Sequence, residues 1–324
     1  MRTGFGQFNE ASDEFLIFAR QYGATDILLN TPNLPTNKGI WELKDLVKLR
    51  LQVESKELKL SALENVPTNF YDDIMLNGPK RDQQIENMIL TIKNIARAGI
   101  KIFGYNWMPS HVWRTKPKMI RGGAYATAFN YDDAKKIPNT HGREYDEEEI
   151  WENLEYWIKI IMPIAEEEKI KLGIHPCDPP VEKLGGAPNI FRSYDSYRRY
   201  LNIYPSDYCG IEFCQGTIAE MFDSKGENIY NFIEEMLLCK KIFYVHFRNV
   251  SAPNPESFHE EFINTGHVDM YKAMKIFYKN DYDSFFIDDH VPKTYQDTEW
   301  GHRGRAFANG YIQAMIEAVT KEGK

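Results

Sequence analysis

Short runs of β-branched and aromatic residues alternate with longer segments of helical period along the whole chain. That alternation restricts the fold more than any other feature, because repeated βα units build a parallel sheet. The runs are Thr3–Phe8, Asp26–Leu29, Lys59–Leu63, Lys101–Tyr105, Lys171–Ile174, Cys209–Phe213, Ile242–Phe247 and Ser284–Ile287. The helical segments after them are Asp13–Tyr22, Leu43–Ser55, Asp82–Ala98, Glu147–Glu168, Ser193–Leu201, Asn228–Leu238, Asp269–Tyr278 and Gly304–Val319. The third shows the period most clearly: Ile85, Met88, Ile89, Ile92 and Ala96 fall on one stripe, with Arg81, Gln84, Lys93 and Asn94 off it and Gly99 ending the helix as a C′ residue.

Eight βα pairs predict an α/β protein, a (β/α)8 TIM barrel, and no Gly/Pro/Ser-rich linker divides residues 1–324 into more than a single domain. The 324 residues exceed the roughly 250 of a plain barrel. The excess falls in insertions after strands 4 and 5, Asn106–Asp146 and His175–Arg192, at the carboxyl ends that form the active-site face of such a barrel.

Composition removes several functions. A formal charge of −8 opposes a nucleic-acid partner, since binding a phosphate backbone requires a basic surface, and a small-molecule ligand fits better. No stretch approaches 18 uninterrupted apolar residues and the amino terminus MRTGFGQFNEASDEF carries no signal-peptide core, so the chain reads as cytoplasmic with no membrane partner. Cys177, Cys209, Cys214 and Cys239 form no C-x-x-C pair, which excludes a zinc knuckle and fits a reducing compartment.

Side chains able to bind metal follow the later strands: His175 the fifth, Cys214 the sixth, His246 at the end of the seventh, and Asp288, Asp289 and His290 after the eighth. Taken singly, a strand histidine is more often a hydrogen-bonded core residue, and a cysteine a small buried hydrophobe. Their recurrence at four successive strand ends, which a barrel gathers around one axis, favours a site for one divalent ion. His111, His141, His259, His267 and His302 lack that regularity and read as solvated or structural, while Cys209 and Cys239 read as inert core.

On these residues the chain resembles the bacterial mannonate dehydratases, a metal-dependent family of xylose-isomerase-like barrels. The resemblance rests on Glu64-Asn65-Val66-Pro67, Arg81-Asp82 with Ile85-Glu86-Asn87, Ala98-Gly99-Ile100-Lys101 and Tyr105-Asn106-Trp107-Met108-Pro109. It continues through His175-Pro176 with Asp178-Pro179-Pro180, Phe213-Cys214-Gln215-Gly216-Thr217, His246-Phe247-Arg248-Asn249-Val250, Gly266 with Val268-Asp269-Met270, and Asp289-His290. It implies His175, Cys214, His246 and Asp289 as ligands of Mn²⁺ or Fe²⁺, with His290 as acid/base. It also implies Arg248 as binder of the substrate carboxylate, with Asn106 and Arg114 as further substrate contacts. The implied reaction is a lyase step of hexuronate catabolism, D-mannonate to 2-dehydro-3-deoxy-D-gluconate and water; a homo-oligomer is left open.

The sequence departs from that family's pattern at three places. The loop after the eighth strand, Val291 to Trp300, is short, so Tyr295 is a candidate for the family's catalytic tyrosine by location alone. Cys177 stands where the first of two aspartates is usual, and Val112 precedes Trp113 where an aspartate is common. Two other readings remain at this level. A sugar isomerase or epimerase on the same barrel would want carboxylates where Cys214 stands, and a non-catalytic sugar-acid binder would not need His290.

Overall fold

The computed structural model describes residues 1–36, 38–221 and 228–323. Eight parallel strands close into a barrel: β1 (Arg2–Phe8), β2 (Asp26–Asn30), β3 (Lys59–Glu64), β4 (Ile102–Tyr105), β5 (Lys171–Ile174), β6 (Cys209–Cys214), β7 (Ile242–His246) and β8 (Phe285–Ile287). Each pairs with its neighbour in sequence, and β8 returns to β1 through Arg2 against Phe285 and Thr3 against Phe286. The expected barrel is therefore the observed one.

Among the described residues, eight helices of nine residues or more surround it: α1 (Asp13–Gln21), α2 (Leu43–Glu54), α3 (Arg81–Arg97), α4 (Glu147–Glu168), α5 (Tyr194–Ile203), α6 (Ile229–Leu238), α7 (Met270–Lys279) and α8 (His302–Glu322). Several begin where the sequence supplies an oxygen for the orphan amides of a first turn. Ser12 accepts from Phe15 N, Asn228 from Tyr230 N and Asn231 N, and Asp269 from Lys272 N, while Ser193 and Ser196 form a capping box. No helix among the described residues is long and apolar enough to cross a membrane.

Two layers of core follow from strand alternation. One face of each strand meets the helices in a large apolar cluster, to which β6 contributes Cys209, Ile211 and Phe213. Inside the barrel a smaller plug of Leu28, Ala62, Phe243, Tyr244, Phe285 and Ile287 fills its lower part. Above that plug the interior turns polar.

The structure differs from the sequence expectation, or adds to it, at three places. Gln84 and Asn94 of α3 lie off the apolar stripe yet are buried, because their amides satisfy loop carbonyls: Gln84 Nε2 donates to Asn69 O and Asn94 Nδ2 to Trp41 O. Cys239 caps the C-terminus of α6 and is exposed rather than core. A third long connection follows β7, beyond the two expected. It carries the strands Asn249–Val250 and Ser257–Glu261, and the latter pairs antiparallel with Ala128–Asn130 from the segment after β4. Ser-Phe-His-Glu-Glu holds a single apolar residue, so no hydrophobic alternation announces this strand.

Candidate active site

The carboxyl ends of β5 to β8 bring their side chains together above the interior plug. On β6 the period of two sends Cys209, Ile211 and Phe213 outward, and Glu212 and Cys214 inward. Gly104 on β4 allows this crowding, since a Cβ there would lie 1.8 Å from the Tyr244 hydroxyl and 2.4 Å from Glu212 Oε2. One donor atom from each of His175, Cys214 and His246 falls within 4.8 Å of the others, and all three residues are buried. Asp289 borders this group, its Oδ2 3.8 Å from Cys214 Sγ and 3.5 Å from His246 Nδ1. It has left-handed backbone geometry (φ 57°), and Arg305 Nη1 donates to its carbonyl.

The donor set suits a divalent transition ion. His175 Nδ1 donates to Pro176 O at 2.6 Å, which leaves the Nε2 lone pair free. His246 Nδ1 is buried with no hydrogen-bond partner. Burial raises the Cys214 thiol, but the Arg248 guanidinium, with His175 and His246, outweighs burial and brings it down to about 5, so a thiolate stands there at neutral pH. Burial disfavours a charged His246, yet Asp289, Glu64 and Glu212 raise it well above the ordinary imidazole range. Four carboxyl side chains, Asp178, Glu220, Glu260 and Asp289, surround the two guanidiniums of Arg114 and Arg248, and two more, Glu64 and Glu212, lie against His246 Nε2. Such a site draws protons onto its imidazoles, and a bound cation displaces them.

His290 is the residue beside this group that meets solvent, with its side chain 37% exposed. Its Nδ1 lies 2.6 Å from Glu260 Oε1, and its Nε2 3.6 Å from Asp289 Oδ1. Burial works against its charge, but Asp289 and Glu260 prevail and raise it to about 9.

Arg248 is enclosed by protein groups. Its guanidinium is buried and committed to protein acceptors: Nε to Asp289 Oδ2 at 2.8 Å, Nη2 to Thr217 Oγ1 at 2.8 Å and Asp178 Oδ2 at 3.2 Å, and Nη1 towards Glu220 Oε1 at 3.5 Å. Gly216 lets it in, since a Cβ there would lie 2.3 Å from Nη1. Arg114 is similarly engaged, bidentate to Asp178 at 2.7 Å and 2.7 Å with Nη2 also 3.2 Å from Glu260 Oε1. In this arrangement both arginines neutralise carboxylates of the protein.

A cavity of ≈ 230 Å³ opens over the centre, lined by Gln7, Asn30, Glu64, Asn65, Asn106, Met108, Val112, His175, Asp178, Asp289 and His290. Asn106 is thus at the cavity, its Nδ2 donating to Asn65 Oδ1 at 2.7 Å. Tyr295 is not brought there: its side chain is exposed and its hydroxyl accepts from Gln296 Nε2 at 3.4 Å. Cys177 faces the outer core, where burial pushes its thiol up to about 12, so that departure leaves the cavity unchanged. Val112, half exposed, does line it.

Sequence reasoning assigned no role to Glu64, Asp178, Glu212, Glu220 or Glu260. Glu212 had a signal, lying two residues before Cys214 and hence on the same strand face. Glu64 ends β3 as the metal candidates end theirs, and Asp178 lies in the His-Pro-Cys-Asp-Pro-Pro string. Glu260 had none, because the long connection after β7 delivers it. The remaining histidines stand apart from the cavity: His141 Nε2 meets Pro109 O, His267 Nε2 meets Ala219 O, His259 Nε2 meets Glu261, His302 Nδ1 meets Thr298 Oγ1, and His111 is exposed.

A sequence model of the D-mannonate dehydratase (UxuA) family matches residues 1–143 and 136–324. A mannonate dehydratase of Streptococcus uberis is 31% identical over 94% of this chain and 99% of its own length. One from Thermotoga petrophila is 30% identical over 88% of each. The crystal structure of mannonate dehydratase from Streptococcus suis serotype 2 superposes with a TM-score of 0.89 at 29% identity, covering all of this chain and 94% of the other. A D-tagatose 3-epimerase-like protein, 15% identical with a TM-score of 0.63, shares the barrel fold alone.

Proposed function

The chain belongs to the D-mannonate dehydratase family, and from that premise we propose that it is a metal-dependent hydro-lyase converting D-mannonate to 2-dehydro-3-deoxy-D-gluconate and water. The observation that carries the reading is the joint burial of His175, Cys214 and His246, bordered by Asp289, directly beneath a cavity that His290 also lines.

Dehydrating a 2,3-dihydroxy acid removes the weakly acidic C2 proton and expels the C3 hydroxyl, a poor leaving group until it is protonated or otherwise stabilised. The resulting enol becomes the 2-keto-3-deoxy acid. His175, Cys214, His246 and Asp289 would hold Mn²⁺ or Fe²⁺, since mixed N, S and O donors suit a transition ion better than Mg²⁺ or Ca²⁺. When bound, such an ion acts as a Lewis acid for negative charge on substrate oxygens.

The chain's own residues supply the rest. His290 moves the proton: Glu260 takes its Nδ1 side, leaving Nε2 for exchange with the substrate. Gln7, Asn30, Asn65 and Asn106 form a wall of neutral amides suited to the hydroxyls of a sugar acid. Arg248 holds Asp289 in place and stabilises the Cys214 thiolate, and Arg114 anchors Asp178.

The test incubates protein reconstituted with Mn²⁺ or Fe²⁺ with a panel of aldonates and follows formation of 2-keto-3-deoxy acid. D-mannonate should be turned over in preference to its epimers, and a chelator should abolish the activity. Full activity in verified metal-free protein, or none with any aldonate, would remove the assignment.

A further inference from the structure

The two nitrogens of His246 have unlike surroundings. Nδ1 is buried, unpartnered, and faces the Asp289 and Cys214 side. Nε2 points the other way and lies 3.0 Å from Glu64 Oε2 and 3.1 Å from Glu212 Oε1. Glu64 is itself fixed by donors from the first two strands. Its Oε1 accepts from Asn30 Nδ2 at 2.8 Å and Gln7 Nε2 at 3.1 Å, and its Oε2 from Gln7 Nε2 at 3.0 Å and the Tyr244 hydroxyl at 3.4 Å.

The direction of these bonds is determined. Asn30 Nδ2 also donates to Gln7 Oε1 at 2.7 Å, so the Gln7 amide must turn its NH₂ towards Glu64. A carboxylate surrounded by donors can only accept, and the hydrogen between it and His246 therefore sits on Nε2. Once a cation displaces the second proton, the lone pair is left on Nδ1.

We propose that Glu64, held by Gln7 and Asn30, is a positioning residue that fixes His246 as its Nε2–H tautomer and so presents a bare Nδ1 to the cation. The inference rests on the reading of His246 as a metal ligand. A carboxylate on the far nitrogen of a metal-bound histidine orients the ring and raises its basicity. Glu64, Glu212 and His246 also lie close enough to suggest a separate cation at Nε2. Glu64 argues against that, because its acceptor positions are already taken by Asn30, Gln7, Tyr244 and His246.

The test measures Mn²⁺ binding to the full chain by calorimetry, without substrate, for the wild type, Glu64→Ala, Glu64→Gln and Asn30→Ala. Glu64→Ala should weaken binding by about 10- to 100-fold. Glu64→Gln, which keeps one acceptor oxygen, should lose less. Asn30→Ala, which removes one donor to Glu64, covers the case in which Glu64→Ala fails to fold, and it too should bind more weakly. In Zn²⁺-loaded protein labelled with ¹⁵N-histidine, His246 should show a protonated Nε2 and a metal-bound Nδ1.

Wild-type affinity in Glu64→Ala, metal on Nε2, or two ions bound per chain would overturn the proposal. A wild type that binds no divalent ion would instead overturn the functional reading beneath it. Lower thermal stability with unaltered Mn²⁺ affinity would make Glu64 merely structural and would equally defeat it.

Discussion

His290 Nδ1 lies 2.6 Å from Glu260 Oε1, although the imidazole follows β8 and the carboxylate comes from the long connection after β7. Glu260 is buried, lies 3.2 Å from Arg114 Nη2, and sits on a strand that Ala128–Asn130 pins from the other side. The proposed acid/base is therefore aimed by a segment outside the barrel wall.

Glu260→Gln should accordingly lower turnover by about 10²-fold, the scale of a misaligned catalytic group, with metal content unchanged. Steady-state kinetics beside elemental analysis would check this. Unchanged turnover would mean that the cavity alone orients His290.

His290→Asn roughly preserves shape and one hydrogen bond while removing the imidazole that exchanges the proton. Turnover should fall by about 10² to 10⁴ with the metal retained. A fully active variant could not be reconciled with the lyase reading, since another group would then have to handle the proton.

Tyr295→Phe should be close to silent, within about twofold of wild-type turnover, because the side chain is exposed and makes no contact with the cavity residues. A steep loss with intact metal and substrate affinity would show that the loop closes over the substrate and delivers the tyrosine.

Metal-free protein should lose stability on the alkaline side through His290. Its folded pKa is raised to about 9 by Asp289 and Glu260 against the effect of burial, while an unfolded histidine titrates near 6.5. The contribution is complete below about pH 6.5 and is lost as pH rises through about 9. Thermal midpoints between pH 6 and 10 should fall more for the wild type than for His290→Asn. Parallel curves would contradict the ion pair.

Cys214 should titrate as a thiolate in metal-free protein, its folded pKa being about 5 against about 8.5 for a free thiol. Ultraviolet thiolate absorbance should therefore persist at pH 7 and vanish below about pH 5. Cys214→Ser should lack it and bind Mn²⁺ more weakly while remaining soluble. Loss of soluble protein without a change in metal affinity would return Cys214 to a purely structural role.

The barrel was legible in the sequence because hydrophobic periodicity is local: α4 spans Glu147–Glu168 and β5 spans Lys171–Ile174, as the pattern alone indicates. The strand-end residues His175, Cys214, His246 and Asp289 were legible for a related reason, since a closed parallel barrel carries consecutive strand ends to one face whatever lies between them.

What surrounds them was decided by tertiary structure. The family resemblance implies Arg248 as a carboxylate binder, and the fold places Asp178, Glu220, Glu260 and Asp289 around its guanidinium. Glu64 reaches His246 across 182 positions, and Glu260 reaches His290 across 30. Hydrogen bonds and charge pairing depend on distance in space, and a sequence fixes which groups exist before closure of the barrel fixes which of them meet.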